Sequence, residues 1–152
     1  MINDEVNTIL GACKEELDNI SALLTGLGAS ARPTPYIKKY AVIRATGAIE
    51  IGFKKIIADK VVENSQVQIQ NFIDKKIRNS SSNPKLGVIE SMLQEFDSRW
   101  LSKFDELLAF EDKPQLKGSL TKLVDARNDF AHGGNPDMCI DETITCFADG
   151  VK

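Results

Sequence analysis

The sequence has few of the residues that build metal sites and disulfide frameworks. It contains a single histidine, His132, and three cysteines, Cys13, Cys139 and Cys146. An odd number of cysteines with no C-x-x-C pair indicates neither a disulfide framework nor a zinc site. The G-x-G-x-x-G and P-loop motifs that hold nucleotide phosphates are also absent. We therefore expect no structural metal and no cofactor.

Long apolar runs and a strong basic charge are missing as well. The N-terminal stretch MINDEVNT has neither the basic residues nor the apolar core of a signal peptide. The apolar tract over residues 40–57 is interrupted by Arg44, Glu50 and Lys54, too soon for a membrane span. A net charge of −3 argues against a strongly basic, sequence-independent nucleic-acid binder, whereas a small RNA site needs only a local positive patch. We expect a cytoplasmic protein with no membrane partner.

Strand-like alternation and internal repeats are absent, and apolar residues instead recur at spacings of three and four, which is typical of amphipathic helices. The chain is long enough to bury the core of one domain. We expect a single all-α domain over residues 1–152, an up-and-down bundle of about five to seven helices. The predicted helices cover residues 3–27, 35–64, 66–79, 86–96 and 100–110, followed by one from residue 113 and one from residue 141.

The same periodicity predicts which side chains are buried. Ala41, Ala45, Ala48 and Gly52 form a stripe of small residues on which a neighbouring helix can pack closely. The other residues expected on apolar, core-facing stripes are Val6, Leu10, Cys13, Leu17, Ile20, Leu24, Leu27, Val67, Ile69, Phe72, Ile73, Ile77, Leu101, Phe104, Leu107, Leu108, Leu116, Leu120, Leu123, Phe130, Ala131, Ile144, Phe147 and Val151.

Two features away from these stripes could contact RNA. Lys75, Lys76 and Arg78 form a basic end of the third helix, and Trp100 is the sole tryptophan. We interpret the basic end as a solvated face and the tryptophan as a packing anchor, with RNA contact as the alternative.

Residues 113–136, KPQLKGSLTKLVDARNDFAHGGNP, carry the most informative pattern. Pro114 suits the first turn of a helix, and Gly133-Gly134 followed by Pro136 is a strong stop signal. At about 100° per residue, Arg127 falls inside the apolar stripe of this helix. An arginine in that position is costly unless a carboxylate, a phosphate or a solvent-filled groove receives its guanidinium.

Four polar residues are placed to join Arg127. Asn128 and His132 are four residues apart, so they share a face beside it. Glu50 and Lys54 have the same spacing on the second helix, where Glu50 lies among apolar neighbours. We expect Glu50 to meet Arg127 across the core. The pair either positions the guanidinium for function or is a purely structural ion pair, and the sequence leaves both interpretations open.

These residues resemble the motifs of HEPN domains. The run Arg127-Asn128-Asp129-Phe130-Ala131-His132-Gly133 is similar to the R-x4-6-H motif of that family, whose members are all-helical and include many metal-independent ribonucleases. Glu50-Ile51-Gly52-Phe53-Lys54 is similar to the E-x3-K/R element found on an earlier helix of many members. The tract over residues 40–60, together with R-N-x-x-A-H-G, most resembles the RiboL-PSP branch, and the resemblance covers nearly the whole chain.

The resemblance implies an endoribonuclease that cuts RNA without metal at the interface of a homodimer. It also implies a prokaryotic defence or toxin setting, with an antitoxin or a fused domain as a further partner. One feature departs from the family pattern. HEPN toxins paired with nucleotidyltransferase antitoxins carry H-x-Y, whereas this chain has His132-Gly133-Gly134, so we do not expect tyrosine modification.

Each residue of the motif has an expected role in that reaction. His132 is the general acid or base, Arg127 clamps the transition state, Asn128 is a positioning donor, and Glu50 and Lys54 are supports. One histidine per chain does not supply two proton carriers, but a twofold dimer does. The alternative is a non-catalytic helical module of the same fold that binds RNA, a nucleotide or a protein partner, with His132 only a C-terminal capping residue.

Overall fold

The computed structural model describes residues 3–152. Over that range the chain forms seven α-helices and one π-helical segment and contains no strand. The expected all-α bundle is therefore confirmed, with a helix number at the upper end of the predicted range. The elements are α1 (Asp4–Leu27), α2 (Thr34–Val62), α3 (Val67–Ile73), the π segment (Asp74–Arg78), α4 (Leu86–Phe96), α5 (Ser98–Leu108), α6 (Lys113–Ala131) and α7 (Ile140–Gly150).

The ends of α1 follow from local chemistry. The Asn3 side chain caps the helix by accepting a hydrogen bond of 3.1 Å from the backbone N–H of Val6. Asp4 and Glu5 lie in the first turn, where the positive end of the helix dipole favours acidic side chains. At the other end, Gly28 has a φ of 84°, a backbone conformation that suits glycine and lets the chain leave the helix.

Helix α2 is central and packs against α1, α3, the π segment, α6 and α7. Its stripe of small residues is buried: Ala41, Ala45 and Ala48 have no exposed surface, and Gly52 is buried with them. Small side chains allow neighbouring helix backbones to approach closely. The predicted close packing is confirmed, and at Gly52 the neighbour is α1, whose Val6 and Leu10 side chains lie against the glycine.

The third predicted helix is the largest departure from expectation. Residues 66–79 are divided between α3 and the π segment, where Asn79 N–H donates to the Asp74 carbonyl at 2.9 Å. The prediction that Val67, Ile69 and Phe72 face the core is wrong, because their side chains are 60%, 46% and 58% exposed. The main packing partner of α3 outside the π segment is α2, so only one face, which includes Ile73, can be covered.

Four more residues predicted on apolar, core-facing stripes are exposed. Leu107 is 59% exposed, whereas its neighbour Leu108 is the α5 residue buried in the core cluster. Leu27, Ala131 and Val151 are exposed because they lie at or just beyond helix ends.

Of the two features considered for RNA contact, Trp100 is half-buried beside Phe96, with 6.1 Å between the ring centroids. Among residues 3–152, no helix combines the length and apolar character needed to cross a membrane.

Candidate functional site

The candidate site lies at the C-terminal end of α6, and two glycines shape that end. Gly133 has a φ of 82°, and its N–H donates to the Phe130 carbonyl at 3.1 Å. The next N–H, from Gly134, donates to the Asp129 carbonyl at 2.7 Å, which completes a Schellman motif. A Cβ at Gly134 would lie 3.0 Å from that carbonyl oxygen, so a larger residue there would crowd Asp129. The predicted helix stop is confirmed, and it places His132 at the C-cap.

Arg127 meets Glu50 as the sequence predicts. Its Nη1 lies 3.1 Å from Glu50 Oε2, and this ion pair joins α6 to α2. The side chains of Arg127 and Glu50 are 25% and 13% exposed, so the pair is largely shielded while one edge of the guanidinium faces solvent. Arg127 Nη2 also donates to Asn128 Oδ1 at 3.4 Å. The other N–H donors of the guanidinium remain directed away from these partners.

Glu50 also organises a second buried cation. Its Oε1 accepts a hydrogen bond of 3.0 Å from Lys54 Nζ and another of 3.0 Å from the backbone N–H of Ser82. Lys54 is 5% exposed and also donates to the Ser80 carbonyl at 2.6 Å. A buried ammonium is stable only when it is paired in this way. Glu50 therefore carries one negative charge between two positive ones, which leaves the cluster with an excess positive charge.

Sequence reasoning missed the contribution of the loop after the π segment. Residues 80–84 lie between two predicted helices and carry no predicted role, yet the carbonyl of Ser80 and the N–H of Ser82 complete the shell around Lys54 and Glu50. These are backbone groups, which any residue could supply. No side-chain signal in the sequence could have identified them.

The two remaining motif residues lie at the surface. Asn128 and His132 are both exposed. Within residues 3–152, the imidazole of His132 makes neither a hydrogen bond nor an ion pair, whereas Asn128 is joined to Arg127 through its Oδ1. The structure thus brings Arg127, Glu50, Lys54 and Asn128 into one network, and it leaves the His132 side chain on the solvent side of the same helix end.

An exposed stripe on α2 runs towards Glu50, and we call it the α2 stripe. It consists of Tyr36, Tyr40, Ile43 and Ile51, which are 72%, 49%, 48% and 50% exposed, with Gly47 between them. Their spacing places them along one side of the helix. A contiguous surface of large exposed apolar side chains is typical of a contact face between proteins.

One edge of the α2 stripe is held by a second polar cluster. Arg44 Nε lies 2.6 Å from Glu16 Oε2, and the hydroxyl of Tyr40 donates to the other oxygen of that carboxylate. The hydrogen bond from Tyr40, followed by that from Arg44, lowers the pKa of Glu16. The phenol of Tyr40 is therefore fixed in place and presents its ring to solvent.

The family model described as RiboL-PSP-HEPN matches residues 10–152. That range includes both halves of the polar network, Glu50 and Lys54 on α2 and the motif at the end of α6. The searches of curated proteins and of solved structures found no match.

Proposed function

Because the chain belongs to the RiboL-PSP-HEPN family, we propose that it is a metal-independent endoribonuclease whose active site is shared by two copies. The observation that carries this proposal is the 3.1 Å pair between Arg127 and Glu50 on a helix end that also presents an exposed histidine, His132, five residues further on. The Arg127 side chain is 25% exposed, so its guanidinium is held by Glu50 and still accessible to a phosphate.

The reaction requires groups that this helix end can supply. When the 2′-hydroxyl of a nucleotide attacks the adjacent phosphorus, a base takes the hydroxyl proton and the O2′–P bond forms. The P–O5′ bond then breaks and an acid gives a proton to the leaving O5′. The products are a 2′,3′-cyclic phosphate and a 5′-hydroxyl. Imidazole, with an ordinary pKa near 6.5, serves both proton roles at neutral pH.

Two copies are needed because base and acid act on opposite sides of the phosphorus. Each chain has one histidine, so a twofold axis close to the α6 ends would supply the second one. The α2 stripe supports this arrangement, since it is an apolar surface on the helix that also carries Glu50. We propose that the stripe is the contact between copies and that it aligns the two motifs.

Arg127 and Asn128 would bind the phosphate. The solvent-facing N–H groups of Arg127 match the paired oxygens of a phosphate, and Glu50 holds the guanidinium in one orientation. Asn128 accepts from Arg127 through Oδ1, which leaves its amide N–H groups to donate to a phosphate oxygen. Lys54 supports Glu50 and remains buried, so we assign it no contact with RNA.

The proposal is tested by incubating RNA with the protein in EDTA and identifying the product ends. Wild type should produce 2′,3′-cyclic phosphate ends, and His132→Ala should cleave about 10²–10⁴-fold more slowly. Equal cleavage by both proteins would exclude His132 as a catalytic residue. RNA binding without any cleavage would favour the non-catalytic module of the same fold.

The shared site has a test of its own. Ile43→Arg places a charge in the centre of the α2 stripe and should convert the dimer to a monomer without cleavage activity. Leu23→Arg is the matched control, because Leu23 is also about half exposed, at 50%, but lies on α1. Sedimentation equilibrium measures the oligomeric state of both variants, and the RNA assay measures their cleavage activity. An Ile43→Arg protein that remains dimeric would remove the stripe from the proposal.

The proposed biological setting is a prokaryotic defence or toxin system with an antitoxin or a fused partner domain. The resemblance to the family supports it. Growth arrest on expression of wild type, with relief by His132→Ala, is the expected outcome.

A further inference from the structure

A deep apolar cleft lies elsewhere on the bundle and shares no lining residue with the polar network. Its volume is about 530 Å³. It opens between α5 and the bundle, and its walls include Phe53 and Ile56 of α2, Phe104 and Leu107 of α5, and Leu116 of α6. Protein interiors rarely contain voids much larger than a water molecule. A cleft of this volume is instead within the range of pockets that hold small molecules.

The packing of α5 explains why the cleft exists. The main neighbour of α5 is α4, and α5 reaches the core through Phe104 and Leu108, so a space remains beside these contacts. Ile56 and Leu107 are left 52% and 59% exposed at the opening. Residues from α1, α2, α4, α5, α6 and α7 contribute to the lining. A cleft enclosed by so many elements suits a compact ligand better than a continuous helix, which needs a groove with two open ends.

One end of the cleft is polar and negatively charged. Asp149 is 8% exposed, and its Oδ2 accepts hydrogen bonds from Ser119 Oγ at 2.7 Å and from Gln115 Nε2 at 2.9 Å. Neither donor neutralises the charge of the carboxylate. Glu111 and Asp112 add two further carboxylates to the lining. An anionic ligand would therefore be repelled at this end, and a cation would be attracted.

The structure already contains an ammonium group at this position. Lys152 Nζ lies 3.2 Å from Asp149 Oδ1, while the lysine side chain is 54% exposed. An exposed lysine is weakly held, so another ammonium can take its place beside Oδ1. The remainder of such a ligand would lie against the apolar walls.

We propose that this cleft binds a small amphiphilic amine, with an alkyl or aryl body between α2 and α5 and its ammonium group at Asp149. The inference does not depend on ribonuclease activity. Burial of the apolar body supplies most of the affinity, and the carboxylate selects the cation over a neutral or anionic head group.

Calorimetric titration with three probes of equal chain length tests the ligand class. Octylammonium should bind to the wild-type chain. Octanol should bind roughly tenfold more weakly, since it lacks the charge-assisted contact with Asp149, and octanoate more weakly still. Absence of octylammonium binding at millimolar concentration, or equal binding of all three probes, would overturn the proposal.

Two substitutions locate the site. Ile56→Trp should fill the opening and weaken octylammonium binding roughly tenfold or more, whereas Leu23→Trp, at a residue of matching exposure on α1, should leave it unchanged. Asp149→Asn should remove the preference for octylammonium over octanol. If Asp149→Asn does not fold, the proposal is tested by the order of affinities of the three probes on wild type and by the loss of octylammonium binding in Ile56→Trp. Unchanged binding by Ile56→Trp would contradict the assignment.

Discussion

Two nearly buried carboxylates hold helices together in this chain, and they do so with opposite electrostatic results. The side chains of Glu50 and Asp149 are 13% and 11% exposed. Glu50 is surrounded by the cations of Arg127 and Lys54, whereas the buried partners of Asp149 are the neutral side chains of Ser119 and Gln115. The first region has excess positive charge beside solvent, and the second has excess negative charge beside an apolar cleft.

This difference shows that burial alone does not determine what a polar site can bind. A carboxylate that is fully compensated by cations acts as a support and offers the surplus charge of its partners to a phosphate. Asp149 has two neutral donors and one cationic partner, the exposed Lys152, which is weakly held, so its charge remains available to a competing cation. The sign of the ligand follows from the partners rather than from the carboxylate itself.

The largest expected effect comes from removing the carboxylate of the first region. Glu50→Ala leaves Lys54 buried with the Ser80 carbonyl as its remaining partner, so the free energy of unfolding should fall by about 3–5 kcal/mol. Urea denaturation measures this, with Glu15→Ala, an exposed carboxylate on α1, as the control. A loss no greater than that of the control would show that Lys54 does not depend on Glu50.

The next effect concerns activity rather than stability. Arg127→Ala should lower RNA cleavage by about 10²–10³-fold, because the transition state loses its cationic clamp. Arg99→Ala removes an exposed arginine that pairs with Asp97 outside the site and should cleave like wild type. Equal rates for the two variants would show that the excess positive charge at Glu50 has no catalytic use.

The contribution of Asp149 to the free energy of unfolding should depend on pH in a defined direction. The hydrogen bond from Ser119, more than that from Gln115, lowers the pKa of Asp149 below its ordinary value. A depressed folded pKa stabilises the protein above the unfolded pKa, and that stability is lost as pH falls through the folded value. Ser119→Ala should therefore cost about 1–3 kcal/mol at pH 7 and distinctly less near pH 3. Melting curves at both pH values measure this, and a cost that does not change with pH would contradict it.

The smallest expected effect concerns the reactivity of the cysteine thiols. It tests whether the buried face of α7, the helix that carries Asp149, is inaccessible to solvent. Burial raises the pKa of Cys146 on the same helix, and it raises the pKa of Cys13 to about 11, whereas Cys139 is exposed. A thiol reagent at pH 7 should modify Cys139 alone in the folded chain and all three cysteines after denaturation. Rapid modification of Cys146 would show that the Asp149 region opens.

The two regions also differ in how far the sequence predicts them. The end of α6 could be predicted from the sequence, because helical spacing places Arg127 on the covered face and the Gly133-Gly134 pair is a signal for the end of a helix. The same periodicity predicts that Val67, Ile69 and Phe72 lie in the core, and that prediction is wrong because all three are exposed. Spacing identifies a face, but only the neighbouring helices determine whether that face is covered.

The cleft at Asp149 could not be predicted at all. It lies between α5 and the helices behind it, and its size depends on how the α4–α5 hairpin packs rather than on any local pattern. The contacts of Ser80 and Ser82 with Lys54 and Glu50 have a similar origin. They use backbone groups whose positions are set by the tertiary structure.

The central claim is that two copies contribute their single imidazoles to one site, and a subunit-mixing assay tests it most directly. Inactive His132→Ala chains are exchanged into wild type at constant total protein, and RNA cleavage is measured in EDTA. If every site needs both histidines, activity should follow the square of the wild-type fraction and fall to about one quarter in an equal mixture. Activity that falls in direct proportion to the wild-type fraction would contradict the shared site.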